Sequence, residues 1–201
     1  LAGGVWPNPL DAGADALTMS TYKSLGGPPS GLVLTNDADL AARIDAIAHP
    51  GLTANFDVAN SAALAVALLD WIDDGRAYAD AMAATATALA SALDGHGIAP
   101  YRTAAGATTS HQFAVVADPW GGGHATAVRL REANLLTSAI GLPEGSGLRL
   151  GTPEIVRRGM TPEHMPELAE LIARALHGDP EPVAAAVTAF RGRFSGVAFV
   201  N

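Results

Sequence analysis

Cysteine is absent from the 201 residues, which excludes disulfides, thiolate metal sites and a cysteine nucleophile. Lysine is nearly absent too: Lys23 is the only one, and every other basic side chain among the 12 Lys and Arg residues is arginine. Charged residues make up only 16% and the net charge is −8, so the chain lacks the basic face that nucleic acid or an anionic membrane needs, and neither is expected as a partner. Long apolar runs are missing. The longest, Ala62 to Leu69, falls far short of the about 20 residues that span a bilayer. The histidines His49, His96, His124, His164 and His177 are scattered without ligand spacing, so no metal is expected. Gly121-Gly122-Gly123 lacks the Lys-Ser/Thr of a phosphate loop. What remains is a globular composition, 49% hydrophobic, long enough for one domain and part of another. The lack of cysteine suits a cytoplasmic protein. The chain opens at Leu1-Ala2-Gly3-Gly4 with no methionine and no signal-peptide pattern, a start expected to lie inside a larger polypeptide.

A sequence that uses arginine everywhere but once points to a task for Lys23 that arginine cannot do. An amine that sheds its proton can add to a carbonyl and form a Schiff base, whereas a guanidinium stays charged. Its neighbours Ser20, Thr21, Tyr22 and Ser24 supply hydroxyls, and Gly26-Gly27-Pro28-Pro29-Ser30-Gly31 makes a turn in which backbone can approach a ligand. The plainer alternative is an exposed lysine in a polar turn.

The pattern predicts a short strand over Asp15–Ser20 that delivers Lys23 just beyond its end, and a second strand over Gly31–Thr35, apolar in its middle and hence buried on both faces. Asn36 or Asp37 caps a helix to Ala48, stopped by Pro50-Gly51. A long Ala-rich helical region follows from Val58 to Leu93, bent at Asp73-Asp74-Gly75, its apolar face given to core. After Asp94-Gly95 the composition changes. Strands are predicted at Gln112–Ala117, Leu135–Ile140 and Leu148–Leu150, and helices at His124–Ala133, Glu163–Leu176 and Pro182–Arg191, with Thr152 and Thr161 as caps before proline.

Two segments together resemble one family. Ser20-Thr21-Tyr22-Lys23-Ser24-Leu25-Gly26-Gly27-Pro28 resembles the Thr-Thr-His-Lys-Thr-Leu-x-Gly-Pro segment of serine hydroxymethyltransferases. Gly147-Leu148-Arg149-Leu150-Gly151-Thr152-Pro153-Glu154 resembles their Gly-Ile-Arg-Leu-Gly-Thr-Pro-Ala segment. Between them, Pro50-Gly51 with the following helix and Thr108-Thr109-Ser110-His111 resemble the family's Phe-Pro-Gly loop and Thr-Asp-Asn-His strand entry.

The resemblance implies an α/β protein of PLP fold type I: residues 1–95 as the end of the parallel-sheet large domain with its long connecting helix, and 96–201 as a small α+β C-terminal domain. It implies pyridoxal 5'-phosphate as cofactor, an amino acid as substrate, and a homodimer with shared active sites. Lys23 would hold the cofactor, with Ser20 and Tyr22 beside it. The backbone amides of Ala54 and Asn55 would reach the neighbouring subunit's cofactor phosphate, with Thr53 or Asn55 adding a donor. Arg149 would clamp the substrate carboxylate with a planar bidentate fork. His111 is a further candidate near cofactor or substrate, set against a purely structural role. The groups that stack on the pyridine ring, pair with its nitrogen and cradle the phosphate would lie in an N-terminal half outside this chain.

Where the family places asparagines against folate, this sequence has Thr109-Ser110 and Leu136-Thr137-Ser138-Ala139, so a role for tetrahydrofolate is not expected. The expected chemistry is cleavage or transfer at the Cα–Cβ bond of a β-hydroxy-α-amino acid, as in a hydroxymethyltransferase, or a folate-independent threonine aldolase or transaldolase. A different class of reading is a catalytically inactive dimer partner or scaffold.

Overall fold

The computed structural model describes residues 1–200. They pack as two compact units, Leu1–Ala79 with Phe199 and Val200, and Asp80–Ala198. The changeover lies inside a helix and ahead of the 95/96 boundary suggested by composition, because Ala86, Leu89, Ala90 and Leu93 of that helix belong to the core of the second unit.

In the first unit, β1 (Leu17–Ser20) pairs with β2 (Gly31–Leu34), Leu17 opposite Leu34 and Ser20 opposite Gly31. The pairing is antiparallel, so the two strands form a ribbon around the Lys23 turn and not a parallel pair. The expectation that β2 is buried on both faces is corrected: Val33 and Leu34 are exposed, since a two-stranded ribbon offers no second and third layer. Helix α1 (Ala38–Ala46) starts on Asp37, whose Oδ1 accepts from the amides of Asp39 at 2.8 Å and Leu40 at 2.9 Å. It stops short of Ala48. A wide turn over Ile47–Leu52 takes its place, with His49 extended and the His49–Pro50 peptide cis.

Helix α2 (Val58–Asp73) is capped by Asp57, which accepts from Asn60 N at 3.0 Å. Asp74 breaks the pattern, and α3 (Gly75–Gly95) resumes, which is the bend expected at Asp73-Asp74-Gly75. That the apolar face of α2 is core is a second correction. Val66, Leu69 and Ile72 are 63, 56 and 77% exposed, and no α2 residue is buried. What α2 does engage is the Lys23 turn: Trp71 Nε1 donates to Leu25 O at 2.8 Å, and a side chain added at Gly27 would meet Leu64 at 3.1 Å. Trp71 also packs on Tyr78, which stacks on Phe199 with ring centres 5.2 Å apart.

The second unit has its own sheet and core. Strands β3 (Gln112–Val116), β4 (Ser138–Gly141) and β5 (Ser146–Gly151) form an antiparallel sheet in the order β3-β5-β4. The helices are α4 (Gly123–Glu132), α5 (Pro153–Arg157), α6 (Met165–His177) and α7 (Val183–Gly192). Phe113, Val115, Leu148 and Leu150 alternate onto one sheet face and join Leu89, Leu93, Leu130, Met165 and Ile172 in the core. Each such side chain contributes about 1.5–3 kcal/mol relative to exposure.

Three element starts in this unit move by more than one residue. Strand β4 begins at Ser138 and not Leu135, β5 begins at Ser146, and α6 begins at Met165 because Pro162–His164 winds as a tighter 3₁₀ turn. Thr152 is the N-cap residue of α5, as its position before proline suggests, but its side chain makes no capping bond. Its hydroxyl donates to Met82 O at 2.8 Å and to His111 O at 3.1 Å, tying α3 to the entrance of β3.

Candidate active site

The Lys23 turn is built on a buried hydroxyl. Thr21 is 0% exposed, and its Oγ1 donates between Pro28 O at 2.5 Å and Ser30 O at 2.9 Å. The Thr21 amide donates to Ser30 O at 3.0 Å, and Gly27 N returns to Thr21 O at 2.8 Å. Within this frame Gly26 N donates to Lys23 O at 2.9 Å, with Gly26 at φ +75°, a conformation that favours glycine. Lys23 and Tyr22 are exposed at the tip and Ser20 is half-buried at the end of β1. The Lys23 amine has no ion pair or hydrogen bond among the described residues. The structure thus groups Ser20, Tyr22 and Lys23 on one strand end and turn. It also shows the part of Thr21, which the sequence offered only as one hydroxyl among several; its position between two polar neighbours gave no sign that it alone points inward.

Thr53, Ala54 and Asn55 lie in an exposed loop between the wide turn and α2. The Thr53 amide and hydroxyl both donate to Ala48 O, at 2.8 and 2.7 Å, so this hydroxyl is committed within the chain. The amides of Ala54 and Asn55 are not taken up by any hydrogen bond among the described residues.

In the second unit, Arg149 stands in the middle of β5 between Leu148 and Leu150, pairing with Ala114 of β3 and Ser138 of β4. Strand alternation turns the leucines into the core and Arg149 outward, where it is exposed. On its face, Gly147 and Gly151 flank it along the strand, so no neighbouring side chain of β5 covers the guanidinium. Gly147 is required by contact as well: a Cβ there would lie 2.6 Å from Val115 O. Among the described residues no carboxylate pairs with Arg149.

His111 precedes β3 and is half-buried, its carbonyl held by Thr152 N at 3.0 Å as well as by the Thr152 hydroxyl. Burial is the main cause that lowers its pKa below the ordinary 6.5, with smaller contributions from positive charge that include, last, Arg149. The ring is therefore neutral at neutral pH and able to accept a proton. Among the described residues no three His, Asp or Glu side chains gather as a metal site, and no helix is long and apolar enough to cross a membrane.

The order of elements is that of an α/β fold of the PLP type I class, as the match to a solved structure shows. The L-threonine transaldolase from Pseudomonas fluorescens, solved in its internal aldimine state, matches with a TM-score of 0.92 at 26% identity, over 98% of this chain and 47% of that one. A family model described as serine hydroxymethyltransferase matches residues 1–172, and the chain belongs to that family. It is 57% identical to an alpha-methylserine aldolase from Variovorax paradoxus, over 100% of this chain and 47% of the relative. It is 38% identical to a serine hydroxymethyltransferase from Korarchaeum cryptofilum, over 99% of this chain and 49% of the relative. The chain thus spans about half the length of the curated relatives it matches.

Proposed function

We propose that the full-length polypeptide uses pyridoxal 5'-phosphate to break the Cα–Cβ bond of a β-hydroxy-α-amino acid without tetrahydrofolate, and that the substrate is a serine carrying an alkyl group at Cα. The observation that carries the reading is the Lys23 amine, exposed and without a partner on a turn fixed from beneath by Thr21. A covalent anchor for an aldehyde cofactor needs an amine free of ion pairs and a backbone that does not move with it. The narrower choice of substrate is supported by the 57% identity to an alpha-methylserine aldolase against 38% to a hydroxymethyltransferase. It agrees with Thr109-Ser110 and Leu136–Ala139 standing where the family has folate contacts.

The residues present fit the cofactor. Lys23 would hold it, Ser20 and Tyr22 would contact it, and the free amides of Ala54 and Asn55 would meet the phosphate of a partner subunit's cofactor in a homodimer. When bound, pyridoxal phosphate supplies an electron sink for the pair released from a bond at Cα. Arg149 would hold the substrate carboxylate by charge-assisted hydrogen bonds. A substrate with no hydrogen on Cα has only its carboxylate or its hydroxymethyl group to lose. A carboxylate fixed by a guanidinium stays in place, which leaves the Cα–Cβ bond. The β-hydroxyl proton must leave as that bond breaks and a proton must be delivered to Cα, giving formaldehyde and an α-amino acid. Within this chain Tyr22 beside Lys23 and the neutral His111 are the candidates to accept it, alongside residues outside the chain. The absence of cysteine supports the cytoplasm as the compartment.

The test is formaldehyde release from α-methylserine by the PLP-loaded full-length protein, with and without tetrahydrofolate, together with the cofactor's absorbance in wild type and Lys23→Ala. Equal turnover in both conditions, with absorbance and activity lost in the variant, is expected. Turnover only with tetrahydrofolate would overturn the folate-independent reading, and a full-strength cofactor band in Lys23→Ala would remove Lys23.

A further inference from the structure

We infer that Gln112 is a second contact for the substrate carboxylate, its side-chain amide donating to a lone pair that the Arg149 fork leaves open; this rests on Arg149 being the carboxylate clamp. Register places the two together. Gln112 faces Gly151 across the β3–β5 pair while Arg149 faces Ala114, so Gln112 and Arg149 are diagonal neighbours on the same sheet face. Diagonal neighbours are about 7–8 Å apart at the backbone, within reach of long side chains. The position opposite Gln112 is a glycine. A Cβ built at Gly151 would sit 3.9 Å from the Gln112 Cβ, so the missing side chain leaves open the space through which the carboxamide can lean towards Arg149.

The composition of that face names the ligand. Ala114, Val116 and Ile140 are apolar, Gly147 and Gly151 have no side chain, and the polar groups are Arg149, Gln112 and Ser138. One cation with uncharged hydrogen-bonding neighbours and no carboxylate suits a small anion, because Arg149 is then not neutralised from within. The Gln112 side chain is exposed and makes no hydrogen bond among the described residues. Its backbone is the reverse: Gln112 O accepts from Thr108 Oγ1 at 2.7 Å and from Ser110 Oγ at 3.3 Å, and Gln112 N donates to Ser110 Oγ at 3.4 Å. The strand entrance is braced while the carboxamide stays free, the arrangement expected of a positioned ligand contact.

The test titrates alanine and alaninamide into the PLP-loaded full-length enzyme and reads the cofactor's absorbance, in wild type, Gln112→Leu, Gln112→Glu and Arg149→Lys. Gln112→Leu should weaken alanine about 3- to 10-fold, the effect of one neutral hydrogen bond. Gln112→Glu, which sets a like charge beside the carboxylate, should weaken it on the order of 100-fold. Alaninamide has no carboxylate, so its affinity should change less than about 3-fold in both variants. A merely structural role would weaken both ligands equally, and that result overturns the inference. If Arg149→Lys loses alanine but Gln112→Glu does not, Gln112 alone has been misread. If Arg149→Lys binds alanine like wild type, the clamp itself is wrong.

Discussion

Replacing Thr21 by valine tests whether a buried hydroxyl holds the Lys23 turn. Valine matches threonine in shape, so the packing around this 0% exposed side chain is kept and only the donor is removed. Two carbonyls lose it. Ser30 O still accepts from the Thr21 amide at 3.0 Å, but Pro28 O, 2.5 Å from Oγ1, has no other partner in the turn. Losing one net hydrogen bond costs about 1 kcal/mol, and a partly buried carbonyl left unsatisfied adds about 1–2 kcal/mol, for a total near 2–3 kcal/mol. Thr21→Ser keeps the hydroxyl and loses one methyl, at about 1 kcal/mol. Urea unfolding of the full-length protein should therefore rank wild type, Thr21→Ser and Thr21→Val in falling stability. Because Lys23 lies two residues on in the same turn, Thr21→Val should also lose cofactor absorbance sooner on dilution. A valine variant as stable as wild type, or a serine variant worse than valine, refutes the account of the turn.

Arg149→Lys exchanges a planar fork for a point charge and should cost about 1.5–3 kcal/mol in amino-acid affinity while leaving cofactor binding intact, read by equilibrium titration. Equal loss of cofactor would place Arg149 elsewhere. The lowered pKa of His111 means that below about 6.5 the unfolded chain binds a proton that the folded one refuses. The stability tied to this neutral ring is complete above that pH and falls as the solution is acidified towards the folded-state value. His111→Asn should therefore give a shallower loss of urea midpoint between about pH 7.5 and 5.5 than wild type, and parallel profiles would count against it.

The candidate site residues stand out where the sequence is sparse. A lone lysine in a hydroxyl-rich stretch and an arginine between two leucines are contrasts that local composition displays directly. The bend at Asp74 and the ends of α4 and α7 were similarly local, set by glycine and by apolar spacing. The burial of β2 and α2 was not. Both are apolar segments whose burial depends on which other elements cover them, and periodicity says only that an apolar face exists. The partners of the Thr152 hydroxyl are hidden for a related reason. A threonine before proline has cap chemistry, but its hydroxyl met Met82 O and His111 O, acceptors distant in sequence that no window around it contains. Gln112 is not legible in the sequence, because a glutamine at a strand start carries no signal until register sets it diagonal to Arg149.

Strand β5 has a consequence for the kinds of sequence change this fold can absorb. Its residues alternate between leucines that belong to the core and an arginine that belongs to the open face, and the strand is paired on both sides. One residue inserted or deleted between Gly147 and Gly151 would reverse the facing of the residues on one side of the change, setting part of the strand against the core with the wrong side chains. Neither side can slip to compensate, since β3 and β4 hold the strand from both edges. Length variation in this part of the chain is therefore absorbed most easily in the turn before Ser146 and in the segment after Gly151, and the spacing between Gly147, Arg149 and Gly151 is set by the pairing on both edges.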